Sequence, residues 1–106
     1  MAPKKSRFVL VGNQSYGLFV GRTSATDEEI LKSKSVRLTE VRHVAQWYGK
    51  TGGITSLAAH GPCGPKAQES RIGAPAPGAL LSGIVNVYDC TAEAEKAFAA
   101  IEASGG

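Results

Sequence analysis

The sequence lacks a long apolar run, and a membrane-spanning helix is therefore not expected. A transmembrane helix needs about 20 consecutive apolar residues, and no stretch of this chain approaches that length. The basic start, MAPKKSR, is followed only by FVLVG before polar Asn13. An apolar segment this short is not a secretory signal. We expect a cytosolic protein without a membrane partner.

Cysteine is scarce as well, which argues against a disulfide framework. The two cysteines, Cys63 and Cys90, lie far apart in the sequence. In a reducing compartment such a pair is expected to remain as two free thiols. Zinc binding is not expected either, because only His60 and Cys63 form a close pair and a structural zinc site usually needs two such pairs. The sequence predicts neither a metal nor another cofactor.

A recognisable catalytic arrangement is also lacking. Cys90 precedes a predicted helix, whose N-terminus is expected to lower the pKa of the thiol, but no sequence signature places a histidine beside it. Gly49-Lys50-Thr51 matches only the end of a P-loop, since Val44 stands where the first glycine of the GxxxxGK[ST] motif belongs. We therefore predict no catalytic residue and no enzymatic activity.

Positive charge is only slightly in excess. The formal net charge is +3, and the tightest basic cluster is Lys4, Lys5 and Arg7 near the start of the chain. Nucleic-acid-binding domains usually carry a larger and more clustered excess. Nucleic-acid binding through this cluster is therefore the third of three functional alternatives.

What the sequence does contain is a series of short apolar segments separated by turns. The chain has 106 residues, of which 13 are glycine, and we expect a basic tail at residues 1–6 and a single domain at residues 7–104. Residues 7–12 and 17–22 predict a β-hairpin. Residues 26–35 form either a helical turn, capped by Thr26 or Asp27, or a charged loop.

The middle of the chain predicts a bulged strand and a short helix. In residues 36–48, Val36 and Leu38 are two residues apart, as on one face of a strand, but Val41 and Val44 break this period of two. A β-bulge explains the change. An amphipathic helix is the alternative, but the β-branched residues favour a strand. Residues 54–60 form a short helix that Gly61 and Pro62 stop.

The last third predicts the remaining sheet and a C-terminal helix. Residues 71–78 contain two prolines, which place this segment at an edge or corner of the sheet. Residues 79–89 form a buried strand with a bulge at Gly83, and residues 91–104 form a helix with Thr91 as N-cap. The sequence thus predicts an α+β fold: a small, twisted and bulged antiparallel sheet of four to six strands, one short helix and a C-terminal helix.

The candidate ligand-binding residues combine positive charge with aromatic rings. Guanidinium groups bind phosphate or carboxylate, indole and phenol rings stack on a base, and an amide supplies a directed hydrogen bond. The alternative is that Trp47 belongs to the core and that the arginines are solvated. The candidate set is Arg42, His43, Trp47, Tyr48, Arg71 and Asn86.

The order of elements resembles a family of small phage- and prophage-encoded proteins that carry a domain of unknown function. The resemblance rests on the hairpin RFVLV and YGLFVG, the strand from Leu38 to Trp47, the segment Ser56-Leu57-Ala58-Ala59, and Cys90-Thr91-Ala92-Glu93-Ala94 before the last helix. His43 stands where this family tends to have a second arginine, and Ala45 where it tends to have an aromatic residue.

The same architecture is similar to that of phage anti-defence sponges of the Thoeris type, which assemble into oligomers and sequester cyclic nucleotide signals without cleaving them. The resemblance implies a phage-encoded, non-enzymatic accessory protein in the host cytoplasm that forms a homo-oligomer and binds a small anionic, nucleotide-like ligand. The alternative is a structural component of a virion or assembly.

Overall fold

The computed structural model describes residues 6–14, 17–47, 54–64 and 66–101, and it confirms the α+β prediction. Within these residues an antiparallel sheet of six strands is accompanied by three α-helices. The strands are β1 (Arg7–Asn13), β2 (Gly17–Thr23), β3 (Ser35–Gln46), β4 (Arg71–Ile72), β5 (Ala76–Ser82) and β6 (Ile84–Asp89). The helices are α1 (Asp27–Ser33), α2 (Ile54–His60) and α3 (Ala92–Ala99), and a 3₁₀ turn covers Ala67–Glu69.

The sheet curls because β5 and β6, which follow each other directly in the chain, pair with strands at opposite ends of the sheet. The strand order is β4-β3-β2-β1-β6, and β5 pairs with the edge of β3 that faces away from β2. Only Gly83 separates β5 from β6, yet these strands pair at opposite ends of the sheet. Gly83 has a φ of 66°, which suits glycine. The single strand predicted for residues 79–89 is therefore wrong, because the chain changes edges at Gly83.

The predicted bulge in β3 is confirmed at Glu40. Val20 pairs with Arg42, and Arg22 pairs with Thr39. The chain therefore advances three residues on β3 but only two on β2 between these two pairs. Glu40 takes up the extra residue at a φ of 51°. A Cβ on Gly21, opposite the bulge, would lie 3.0 Å from Leu38 Cβ. The close approach of the two strands at the bulge therefore favours glycine at this position.

Two hydrophobic cores lie on opposite faces of the sheet. Alternate residues of a strand point to opposite faces, and Leu10 accordingly enters one core while Val9 and Val11 enter the other. The first core packs under α2 and α3 and includes Leu57, Ile72 and Phe98. The second core is covered by α1 and contains Ile30, Val36, Leu38, Val41 and Ile84.

The helices begin and end at residues whose side chains or backbone suit those positions. Thr26 and Glu29 form a reciprocal capping box, which stabilises the start of a helix. Residues 27–33 are therefore a helix rather than a charged loop. Thr91 caps α3 through the amide of Ala94, and α3 ends at Ala99, before the predicted end at residue 104. None of the described helices is long and apolar enough to cross a membrane.

Gly61 ends α2 and also allows α2 to pack closely against α3. Its amide donates to the carbonyl of Leu57 at 2.7 Å, and its φ is +68°. A Cβ at this position would lie 2.7 Å from Ala97 Cβ and 2.9 Å from the carbonyl oxygen of Ala94. Gly61 therefore meets two requirements, a left-handed backbone and a close helix contact.

We predict that Gly61→Ala lowers the free energy of unfolding considerably more than Gly64→Ala. Gly64 has a φ of +88° and no atom within 4 Å of its Cβ position, so it is a matched control for backbone strain alone. The control is expected to cost about 1 kcal/mol, and Gly61→Ala about 2 kcal/mol more because of overpacking. Urea denaturation of both variants measures the difference. Equal losses would contradict the proposed contact between α2 and α3.

Candidate functional site

An open cleft lies beside the outer edge of β3, where β4 and the 3₁₀ turn meet it. Its volume is about 570 Å³, within the range of small-molecule sites. The 3₁₀ turn leads into β4, and Gly73 donates from its amide to the carbonyl of His43 at 2.9 Å. These contacts hold the two walls together. The lining residues are His43, Ala45, Gln68, Glu69, Ser70, Arg71 and Gly73.

Two of the six predicted ligand-binding residues, His43 and Arg71, come together in this cleft. His43 is exposed on β3, and its ring centroid lies 4.9 Å from that of Phe19 on β2. Arg71 is exposed at the start of β4 and lies opposite Gln46 in the register of β3. Among the described residues no acidic group forms an ion pair with Arg71. The guanidinium group of Arg71 is therefore accessible to an anion.

Arg42 has a different place, inside the protein. It is 8% exposed and donates to four carbonyl oxygens, at 2.7 Å to both Gly73 and Phe98, at 2.8 Å to Ile101 and at 3.4 Å to Ile72. Burial lowers the pKa of its guanidinium group from the usual value. These donors, predicted from the sequence to contact an anionic group, are engaged with the backbone, and we do not include Arg42 in the cleft.

The remaining predicted residues lie elsewhere. Trp47 is half-buried and packs against the first core, whereas the ring of His43 contacts Phe19 beside the second core. Trp47 and His43 therefore face opposite sides of the sheet. Asn86 is exposed on β6, which forms the other end of the sheet. Tyr48 and the loop at residues 49–53 lie outside the described residues.

Sequence reasoning missed Gln68, Glu69 and Ser70, which line the cleft. Nothing in the composition of residues 61–69 indicates which strand they approach. The pairing of Arg71 with Gln46 brings this segment beside His43. The sequence feature that could have indicated their place in the cleft is their position directly before a short edge strand.

Neither histidine belongs to a cluster of metal ligands within the described parts of the chain, where no group of three or more such residues is found. His60, at the end of α2, lies with its Nδ1 atom 2.8 Å from a carboxylate oxygen of Glu93 on α3. This contact joins the two helices. His60 therefore has a structural partner, and Cys63 is a separate, free thiol.

The chain matches a known family of proteins. The model of a family described as a domain of unknown function, DUF6948, matches residues 6–98. No curated protein and no solved structure matches the chain. The sequence-based expectation of a domain of unknown function is therefore confirmed.

Cys90 lies between β6 and α3, and both cysteines are free thiols, as predicted. Burial raises the pKa of the Cys90 thiol to about 12, and the nearby carboxylates of Asp89 and Glu95 contribute to this rise. The expectation that the helix N-terminus lowers this pKa is wrong, because desolvation and negative charge outweigh the helix dipole. Cys90 is therefore a protonated thiol at neutral pH.

We predict that Cys90 reacts with iodoacetamide at neutral pH at least about 100-fold more slowly than a free cysteine, because the thiolate is the reactive form. Its rate should rise only as the pH approaches the raised pKa. Labelling of a Cys63→Ser variant, followed by mass spectrometry, isolates Cys90, and glutathione serves as the control thiol. Labelling as fast as that of glutathione would contradict the raised pKa.

Proposed function

We propose that the chain, which belongs to the DUF6948 family, is a non-enzymatic binding protein for a small anionic ligand. The ligand occupies the cleft between β3 and β4. The observation that carries this proposal is the placement of His43 and Arg71 in one open cleft, with the guanidinium of Arg71 unpaired among the described residues.

The composition of the cleft favours a nucleotide-like ligand over a simple anion. Arg71 offers a planar guanidinium, which binds phosphate through two parallel hydrogen bonds. Glu69 can accept hydrogen bonds from the hydroxyl groups of a sugar or the amino group of a base. It repels a simple anion that has no such donor groups. Gln68, whose Nε2 atom donates to the carbonyl of Ala100 at 3.3 Å, adds an amide oxygen as a further acceptor. A ligand with one phosphate group and several hydrogen-bond donors suits this combination.

The aromatic contribution comes from His43 rather than from Trp47. The rings of His43 and Phe19 are tilted by 37° with their centroids 4.9 Å apart. Phe19 supports the ring of His43, which is the aromatic surface that lines the cleft. A base stacks on such a surface because every base has a π-face. In the proposed complex His43 contacts the base and Arg71 contacts the phosphate.

In this proposal the chain binds its ligand without altering it chemically. Cys63 and Cys90 are not among the residues that line the cleft, and the raised pKa of Cys90 keeps that thiol protonated. The narrower form of the proposal is that a phage-encoded protein sequesters a cyclic nucleotide signal in the host cytoplasm. That form rests on the similarity of the predicted architecture to that of phage anti-defence sponges, with the cleft as the proposed binding site.

A role in assembly is the second candidate function. The outer edge of β6, which pairs with no strand in the described part of the chain, favours it. Nucleic-acid binding through the N-terminal basic cluster has less support, because Arg7 forms ion pairs with Asp27 at 2.7 Å and with Asp89 at 2.8 Å. These carboxylates compete with phosphate for the guanidinium group.

We predict that the chain binds a cyclic mononucleotide, a cyclic dinucleotide or cyclised ADP-ribose, one per cleft. Arg71→Ala should weaken binding by about 10-fold or more, since loss of a charge-assisted contact costs about 1.5 kcal/mol. His43→Ala should weaken it by a similar factor, since loss of base–aromatic stacking costs about 1–3 kcal/mol. Isothermal titration calorimetry measures the affinities, and chromatography of the released ligand checks that it is unchanged.

Arg37→Ala is the matched control, because Arg37 is an exposed arginine on β3 that does not line the cleft. It should leave the affinity unaltered. Absence of heat with every ligand, or an equal loss with Arg37→Ala, would refute binding in this cleft. A chemically altered ligand would refute the non-enzymatic part of the proposal.

A further inference from the structure

Within the described residues the outer edge of β6 pairs with no other strand, and it presents backbone groups that can pair with one. Cys90 donates from its amide to the carbonyl of Phe8 at 3.1 Å, and hydrogen-bonded and non-hydrogen-bonded positions alternate along an antiparallel pair. With Leu10 opposite Tyr88 and Val11 opposite Val87, the N–H and C=O groups of Val87 face away from β1. The same alternation directs the backbone groups of Asp89 outward.

An apolar groove runs along this edge, between β6 and α1. Its volume is about 520 Å³. Leu31 and Val85, which line it, are 79% and 59% exposed. Ile30 and Ile84 lie in the same groove and join it to the second core. A free strand edge beside exposed apolar side chains is a template for strand pairing.

The two ends of the groove carry opposite charges. At the end of β6, Asp27 and Asp89 share the single guanidinium of Arg7, which leaves one negative charge uncompensated. At the start of β6, Ile84 donates to the carbonyl of Lys34 at 3.1 Å, and Lys34 lines the groove. Among the described residues Lys34 has no acidic partner.

We propose that this groove is the docking surface for a second copy of the chain, through antiparallel pairing of β6 with the partner's β6. A two-fold axis at Val87 places Val87 opposite the partner's Val87 and Asp89 opposite the partner's Val85. The outward-facing N–H and C=O groups of each strand then meet those of the other. This surface lies apart from the cleft of His43 and Arg71, and the inference goes beyond the proposed function.

The charge pattern is what selects a second copy as the occupant. In a two-fold, isologous interface each surface meets itself in reversed orientation. The basic end of the groove, at Lys34, therefore meets the acidic end of the partner, at Asp27 and Asp89. Each β6 is itself an apolar strand, IVNVYD, that ends in an acid. It thus has the chemistry that the groove of the other copy accepts.

The first experiment is sedimentation of the full chain over a concentration series. The wild type should form a dimer, and Val87→Pro should weaken the dimer by at least about 10-fold, because proline removes an outward N–H group without removing a bond to β1. Circular dichroism checks that the variant is folded. A wild type that stays monomeric throughout, or a dimer unchanged by Val87→Pro, overturns the proposal.

The second experiment exchanges the charges and does not depend on the proline variant. Lys34→Glu and Asp89→Lys should each weaken the homodimer, because each creates two like-charge contacts. An equimolar mixture of the two variants should form a heterodimer, because the introduced acid and the introduced base attract each other across one half of the interface and the native pair remains in the other. Arg37→Glu, a charge change outside the groove, is the control. Failure of the mixture to restore the dimer contradicts the two-fold arrangement.

A third outcome concerns a different occupant. If the wild type is monomeric but binds a synthetic peptide with the sequence IVNVYD, the groove accepts a strand from another protein and the second-copy proposal is wrong. Calorimetry of the cleft ligands is independent of all these measurements. Failure of the dimer and failure of the ligand-binding proposal are therefore distinguishable.

Discussion

The buried guanidinium of Arg42 is the contact on which the arrangement of the other elements depends. It reaches from the middle of β3 to carbonyl oxygens of two separate segments, Ile72 and Gly73 at the end of β4, and Phe98 and Ile101 at the end of α3. The last carbonyl groups of a helix have no partner within the helix, and they carry partial negative charge. A buried cation is costly unless it is paired, and here the backbone provides the pairing.

This contact positions the cleft without lining it. By binding the carbonyl groups of Ile72 and Gly73, Arg42 fixes β4 against β3, and it thereby sets Arg71 beside His43. Residues 42 and 43 are neighbours on one strand and face opposite sides of the sheet, so one enters the first core and the other reaches the cleft. The ion pair between Arg22 on β2 and Glu95 holds the same helix at its first turn.

Much of the fold could be predicted from the sequence, because local patterns determine it. The hairpin of β1 and β2, the bulge in β3, the cap at Thr91 and the end of α2 at Gly61 each follow from neighbouring residues. The exchange of edges at Gly83 could not be predicted, since it depends on pairing with strands far away in sequence. The role of Arg42 was hidden for a related reason. Its acceptors are backbone carbonyls, which leave no mark in a sequence, and an arginine next to aromatic residues is typical of a ligand site too.

The most direct measurement of the central claim is NMR of the Arg42 guanidinium in ¹⁵N,¹³C-labelled protein. If four carbonyl oxygens hold this group, its Nη protons give separate, slowly exchanging signals, with couplings across the hydrogen bonds to the carbonyl carbons of Phe98 and Ile101. A single averaged Nη signal that exchanges rapidly with water, as for a solvated arginine, would contradict the account and would return Arg42 to the candidates for ligand contact.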